Sequence, residues 1–147
     1  MELARHVARP ESAPGTWSVR RVTILPFRHA PGSPPAVFEP PTDVYQTCEG
    51  ITVRLEVAGL QPEDLEVTVA GDGRALRVAG HRSDPAAGSP RKYYNLEIQT
   101  GDFARVVALP GPVDLERVSA QYSNGFLEIF LPLRAGGHRS GRQVPVE

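Results

Sequence analysis

The chain has little of what disulfide-stapled and membrane-spanning proteins need. Cys48 is the single cysteine among 147 residues, which excludes an internal disulfide and fits a reducing compartment. We expect its thiol to be half-buried in a strand. The longest largely apolar stretch, residues 126–133, is interrupted by Glu128 and Pro132 and is too short to cross a bilayer. We therefore expect a soluble, cytoplasmic protein with no membrane partner.

Catalytic and metal-binding groupings are also missing from the sequence. The histidines His6, His29, His81 and His138 are isolated and follow neither a metal-ligand spacing nor a Ser-His-Asp order. The turn Gly71-Asp72-Gly73 is too short to cradle a phosphate, and it precedes a strand pattern rather than a helix. We therefore expect that the protein is not an enzyme and binds no metal or cofactor. Its activity should be independent of ATP.

Charge is divided along the chain, although the formal net charge is only −1. Residues 1–40 carry five Arg against three acids, residues 41–133 carry eight basic against thirteen acidic residues, and residues 134–147 carry three Arg against one Glu. No basic stripe is interleaved with aromatic residues, so we expect no nucleic-acid partner.

Proline dominates the first forty residues, which hold seven of the fifteen prolines. Such a density argues against a long regular element and indicates a flexible arm over residues 1–40. The arm is nevertheless apolar in places, at Trp17, Ile24, Leu25 and Phe27. A solvating linker would not need these side chains, so we interpret them as binding residues.

From Thr42 onward the apolar residues alternate, as in half-buried strands. The positions expected to face the core are Ile51, Val53, Leu55 and Val57, then Leu65, Val67 and Val69, then Leu76 and Val78. Further strands or extended segments are expected over residues 93–98, 103–109, 118–122 and 126–131, and 103–109 is apolar enough on both faces to be a central strand. Seven or eight short strands without a helix pattern predict an all-β protein, an antiparallel β-sandwich.

Asn124-Gly125 between two apolar runs predicts a type I′ hairpin, because both central residues of that turn need positive φ. The order Ala120-x-x-x-Asn124-Gly125-x-Leu127 resembles the end of the alpha-crystallin domain of small heat-shock proteins. Earlier segments fall in the order expected for that family, including residues 57–60 and Gly101-x-Phe103-x-Arg105. The resemblance covers about residues 41–133 and implies an immunoglobulin-like antiparallel β-sandwich.

The resemblance implies an ATP-independent holdase whose partners are partly unfolded client proteins and further copies of itself, as a homodimer or a larger homo-oligomer. Phe126 and Phe130 share a face opposite Leu127, where they form an exposed apolar patch or are covered by the arm. The expected client-binding residues are Trp17, Ile24, Leu25, Phe27, Leu65, Val67, Val69, Phe126 and Phe130.

The residues after 133 form a short tail, 134–147, that contains Val144-Pro145-Val146. This triplet resembles the motif that docks in an edge groove of a neighbouring domain in many small heat-shock proteins. Two branched residues two apart point to one side of an extended strand, and the proline reduces the entropy lost on ordering. The groove is expected between Leu65, Val67 and Val69 on one side and Val118 and Ala120 on the other; otherwise the triplet is a disordered end.

Residues 93–98 correspond to a strand that related dimers often exchange. Arg105 lies in an otherwise apolar strand, and we expect it either to face solvent or to form an ion pair with Asp84 or Glu97 that steadies the dimer. The expected oligomer contacts are Tyr93, Tyr94, Leu96, Arg105, Val144 and Val146. A CS-type co-chaperone domain that binds one folded partner is the main alternative, and a hydrolase on a sandwich is the third.

Overall fold

Nine strands in two facing sheets make up the fold, in a computed structural model that describes residues 17–19, 22–25 and 36–135. The strands are β1 (Trp17–Ser18), β2 (Val22–Leu25), β3 (Thr42–Gln46), β4 (Gly50–Glu56), β5 (Leu65–Ala70), β6 (Ala75–Arg82), β7 (Gly101–Ala108), β8 (Ser119–Ser123) and β9 (Phe126–Pro132). One sheet has the order β1-β8-β9-β4-β3 and the other β2-β5-β6-β7. A short 3₁₀ helix (Pro62–Asp64) precedes β5. The predicted β-sandwich is confirmed, with a parallel pairing of β2 and β5 added to antiparallel neighbours.

Alternation along β4 decides which side of the sheet faces the core. Ile51, Val53 and Leu55 have no exposed surface, whereas Arg54 is exposed on the outer face. Thr52, expected to face water, is on that outer face but is buried. It is covered because its neighbours across the strands are the large side chains of Tyr45 and Phe130.

The predicted Asn-Gly hairpin joins β8 to β9, with φ of 53° at Asn124 and 83° at Gly125. The carbonyl of Gly125 accepts a hydrogen bond from the Val57 N–H at 2.8 Å. The buried Tyr122 hydroxyl donates to the Val57 carbonyl at 3.0 Å and accepts from the Leu60 N–H at 3.4 Å. The hairpin therefore fixes the start of the connection between β4 and β5.

Two local predictions are wrong. Cys48 is exposed in the turn between β3 and β4 rather than half-buried in a strand, because the β3–β4 register ends at Gln46 and Ile51. The strand at residues 103–109, β7, forms an edge of its sheet rather than its centre. The apolar side chain on its outer face, Val106, is 48% exposed.

The core begins before residue 41, the boundary expected from the sequence. Phe38 is buried, and its ring centroid lies 5.4 Å from that of Phe103. The Val37 N–H donates to the Asp102 carbonyl at 2.8 Å, and Phe38 forms a bridge to Phe103. Residues 37–40 thus cover the free edge of β7.

The turn after Val113 is held by the Asp114 carboxylate, which accepts hydrogen bonds from Arg117 Nε at 2.8 Å and from the Glu116 N–H at 3.0 Å. The Arg117 hydrogen bond, followed by the Glu116 one, lowers the pKa of Asp114 below its ordinary value. Since the pKa is lower in the folded chain, this carboxylate stabilises the fold above the unfolded-chain pKa. That stabilisation is lost as the pH falls through the folded-state pKa.

We expect Arg117→Ala to raise the Asp114 pKa towards its ordinary value, because the first of these hydrogen bonds is removed. A carboxyl carbon NMR titration of the two proteins measures the shift. Arg74→Ala, in the exposed β5–β6 turn, is the control and should leave the Asp114 pKa in place. The same Asp114 pKa with and without Arg117 would contradict the assignment.

Candidate functional site

The side of the sandwich where β5 and β8 lie is covered by the chain's own N-terminal segment, which we call the strap (residues 17–25, of which 17–19 and 22–25 are described). β1 pairs antiparallel with β8, with Trp17 opposite Tyr122. The Val19 N–H continues this pairing by donating to the Ala120 carbonyl at 3.0 Å. β2 then pairs parallel with β5, with Val22 opposite Val67. A single segment therefore hydrogen-bonds to an edge of each sheet.

Val19 lies at the centre of the strap and is 9% exposed. It belongs to the hydrophobic core, and Val22 packs against the same core from its margin. The strap thus places aliphatic side chains beside β5 and β8, where the sequence predicts a docking groove, and the docking role of that groove stays a prediction. Phe27 and the tail residues Val144 and Val146, which the sequence suggested as binding residues, lie outside the described residues.

The strap changes the interpretation of several residues expected to bind clients. Val67 and Val69 have no exposed surface, and Leu65 is only partly exposed. Ile24, expected in a free arm, is half-buried in β2 beside Val69, and Leu25 continues the same strand. In this structure the strap pairs with the edge of β5, and the role of these residues in client binding stays a prediction.

The two outer-face phenylalanines are neither fully exposed nor covered by the strap within the described residues; both are half-buried. The Arg54 guanidinium lies 4.3 Å from the centroid of the Phe126 ring. Phe126 and Arg54 line a shallow cavity of about 190 Å³ together with Pro41, Asp43 and Glu56. The Phe130 ring lies over Gly50, where an added Cβ would come within 3.0 Å of it. The two rings are therefore flanked by other residues, and they do not form a large exposed apolar patch.

A second candidate surface consists of β3 and the loop between β6 and β7. Most of the large apolar side chains that the described residues leave exposed are found there. In the loop they are Tyr93, Tyr94, Leu96 and Ile98, and on β3 they are Val44 and Tyr45. Residues 93–98 form no strand, so of the two expected forms, strand or arm, the structure shows an unpaired arm.

Arg105 pairs with a residue that sequence reasoning missed. Its Nη1 lies 3.2 Å from Oε2 of Glu39, not near Asp84 or Glu97. Arg105 lies opposite Val78 on the inner face of β7, and the edge position of β7 lets the guanidinium reach the segment that covers this edge. The sequence carries no signal for this pair, because Glu39 reaches β7 only through the bridge between Phe38 and Phe103, which is a tertiary contact.

The described residues contain neither a metal-binding cluster nor a membrane-spanning helix. In residues 17–19, 22–25 and 36–135, no three His, Cys, Asp or Glu side chains come together as a possible metal site. Within the same ranges, no helix has the length and apolarity needed to span a membrane.

Comparisons with known proteins agree with this architecture. A family model described as the Hsp20/alpha crystallin family matches residues 43–147. Spore protein SP21 of Stigmatella aurantiaca is 35% identical over 100 residues, which cover 68% of this chain and 58% of that protein. Small heat shock protein C2 of Rickettsia felis is 26% identical over 98 residues, which cover 67% of this chain and 62% of that protein. The chain thus spans about three fifths of the length of these two relatives.

A solved structure shows the same fold. The small heat-shock protein from Xylella fastidiosa, described as having a distinct high order structure, is 28% identical. It matches with a TM-score of 0.58 and covers 74% of this chain and 95% of its own. The family model, the relatives and the shared fold therefore all point to one group of proteins.

Proposed function

Since the chain belongs to the Hsp20/alpha-crystallin family, we propose that it is an ATP-independent chaperone, a holdase that binds partly unfolded proteins and prevents their aggregation under heat or other stress. Such clients expose apolar side chains and unpaired strand edges, which drive aggregation. The observation that carries the proposal is the aliphatic strap, which pairs with the edges of β5 and β8 where the groove is predicted. Binding without turnover suffices for this role.

The strap acts as the gate of this groove. Its pairings are short, two residues on β8 and four on β5, and short edge strands are held weakly. Release of the strap would leave the edge backbone groups of β5 and β8 unpaired. An extended client segment can then take the place of the strap by strand addition. The released strap would add the apolar side chains of Trp17, Ile24 and Leu25 to the capture surface, with Phe27 following in the sequence.

The tail triplet Val144-Pro145-Val146 is proposed to compete for the same groove from a neighbouring chain. Its branched residues have the chemistry of Val19, which fills the groove in this structure. Strap, tail and client would therefore exclude one another at one site. In an assembly the groove would then be occupied, and it would become accessible to clients when the strap and tail dissociate.

Self-association is proposed to use the second candidate surface. β3 forms an edge of its sheet in the described structure. Residues 93–98 are exposed and do not belong to a strand. Tyr94, Leu96 and Ile98 are two residues apart and share one face when extended. A second copy supplies both elements reciprocally, which closes a two-fold dimer. Charge fits as well, because Lys92 precedes the segment and Asp43 lies on β3.

We place this activity in the cytoplasm. Cys48 is exposed and free, and an accessible thiol suits a reducing compartment. The alternative of a CS-type domain that binds one folded partner has no observation in its favour, since the family match extends through the tail to residue 147. We propose neither a nucleic-acid nor a membrane partner.

Light scattering of a heat-aggregating test protein, without ATP, tests the proposal. We expect suppression near equimolar ratios, and a further gain for Val19→Asp because a carboxylate cannot stay buried at that site. Loss of one buried valine removes about 1.5 kcal/mol from strap binding, which raises the open population roughly tenfold. Ser18→Asp is the matched control, since Ser18 is the exposed neighbour of Val19.

Two results would count against the proposal. Absence of suppression at several-fold excess would remove the holdase role. Suppression that is equal or weaker in Val19→Asp would keep the holdase but remove the groove as its binding site. Circular dichroism of each variant at the assay temperature establishes that the sandwich is still folded.

A further inference from the structure

In the loop between β6 and β7, the ion pair of Asp84 and Arg91 is less exposed than the large apolar side chains that follow it, although charged residues are usually the more exposed. The side chains of Asp84 and Arg91 are 26% and 28% exposed, whereas Tyr94 is 92% exposed. An arrangement of this kind needs a reason, because apolar residues in a free loop would turn inward. It is explained if the charged residues organise the loop and the apolar residues await a partner.

Three side chains fix the first half of the loop, and we call them the clasp (Asp84, Arg91 and Tyr93). Arg91 Nη2 donates to Asp84 Oδ2, and Arg91 Nε donates to the Tyr93 hydroxyl at 2.6 Å. The Arg91 guanidinium also lies 5.1 Å from the centroid of the Tyr93 ring. The other oxygen of Asp84 accepts from the Ala86 N–H at 2.9 Å, which shapes the turn. The clasp closes residues 84–91 into a compact turn.

Arg82 fixes the other end of the loop. Its Nε and Nη2 both donate to the Gln99 carbonyl, at 2.8 and 2.5 Å. Its guanidinium lies 4.6 Å from the centroid of the buried Phe38 ring, which ties this end of the loop to the core. Residues 94–98 are thus held between two anchored points.

We propose that the clasp positions residues 94–98 for pairing with a second copy of this chain and so sets the affinity of the dimer. The inference rests on the homodimer proposed above. A loop whose two ends are already fixed loses less conformational entropy when it pairs, and affinity rises accordingly. Asp84, Arg91 and the Tyr93 hydroxyl are positioning groups in this account, while Tyr94, Leu96 and Ile98 make the contact.

The test is a double-mutant cycle on the full-length chain. Asp84→Asn keeps an acceptor for the Ala86 N–H but removes the charge that Arg91 needs, and Arg91→Gln removes the other partner. Sedimentation velocity over a dilution series gives the dimer dissociation constant and separates dimers from larger assemblies. We expect each single variant to raise the dimer dissociation constant about fivefold to tenfold. The dissociation constant of the double variant should be no higher than that of either single variant, because one substitution already opens the clasp.

Two controls separate the clasp from the dimer itself. Arg74→Gln removes an exposed cation from the β5–β6 turn and should leave the dissociation constant unchanged. Leu96→Asp removes a contact residue and should give a monomer. If Leu96→Asp remains dimeric, the proposed dimer surface is wrong, whatever the clasp does.

If Leu96→Asp is monomeric but Asp84→Asn and Arg91→Gln dimerise like the unaltered chain, the dimer surface stands and the clasp inference is overturned. A second readout guards against a general loss of fold. The clasp changes, placed in the Leu96→Asp monomer, should leave its melting temperature within about 2 °C, as expected for surface substitutions. A large drop there would mean that the clasp is only a structural support, and would also overturn the inference.

Discussion

Replacing Phe103 by alanine is expected to lower the free energy of unfolding by about 3–5 kcal/mol, the usual range for a buried phenylalanine. Phe103 is 2% exposed and is among the largest fully enclosed side chains of the described core. Its ring meets Phe38 on one side and fills the space above Gly80 on the other. The truncation therefore opens a cavity and also loosens the segment that covers the β7 edge.

Urea unfolding followed by circular dichroism measures this loss. Val106→Ala is a matched control on the same strand, because Val106 projects from the outer face and is 48% exposed. The control should change stability by no more than about 0.5 kcal/mol. Similar losses at the two positions would show that the inner and outer faces of β7 have been assigned incorrectly.

The second large effect is expected for Gly80→Ala, with a loss of about 3 kcal/mol from overpacking. A Cβ at Gly80 would lie 2.3 Å from the backbone oxygen of Asp64 and 2.6 Å from Cζ of the Phe103 ring. The first contact is with backbone, so no side-chain rotation relieves it. Either β6 moves away from the 3₁₀ helix or the β5–β6 register shifts, and both disturb the wall of the groove.

Thermal unfolding gives the result directly, since a loss of this size lowers the melting temperature by roughly 10–20 °C in a domain of about 100 residues. Gly111→Ala is the control, because an added Cβ there meets no atom within 4 Å. The effects of Gly80→Ala and Phe103→Ala should also be less than additive, since the smaller side chain at 103 removes one of the two clashes. A melting temperature equal to that of the unaltered chain would refute the close contact at Gly80.

Local sequence patterns correctly predicted core-facing positions and a hairpin of this fold. Alternation identified the core positions of β4, and the positive φ required by Asn124-Gly125 located the last hairpin. These features depend on neighbours in sequence, so the sequence alone contains them. The ordered motifs also indicated the family whose model matches residues 43–147.

The edges of the sheets were predicted poorly, because an edge is defined by what lies beside it in space. The strap was interpreted as a free arm since its prolines outweighed the β-branched run Val22, Thr23 and Ile24, a signal of strand propensity. Strand β7 was placed at the centre of a sheet because Val106 made its outer face look buried. The Arg105–Glu39 pair joins residues 66 apart in sequence, a distance over which spacing gives no information.

Because one covalent segment pairs with an edge of each sheet, release of the whole strap would open both edges together. In the proposed mechanism, strap release is then a two-state step whose output is the fraction of open molecules and not a graded affinity of each molecule. A modest change in strap stability would alter the number of available binding sites while every open site kept the same strength for its client.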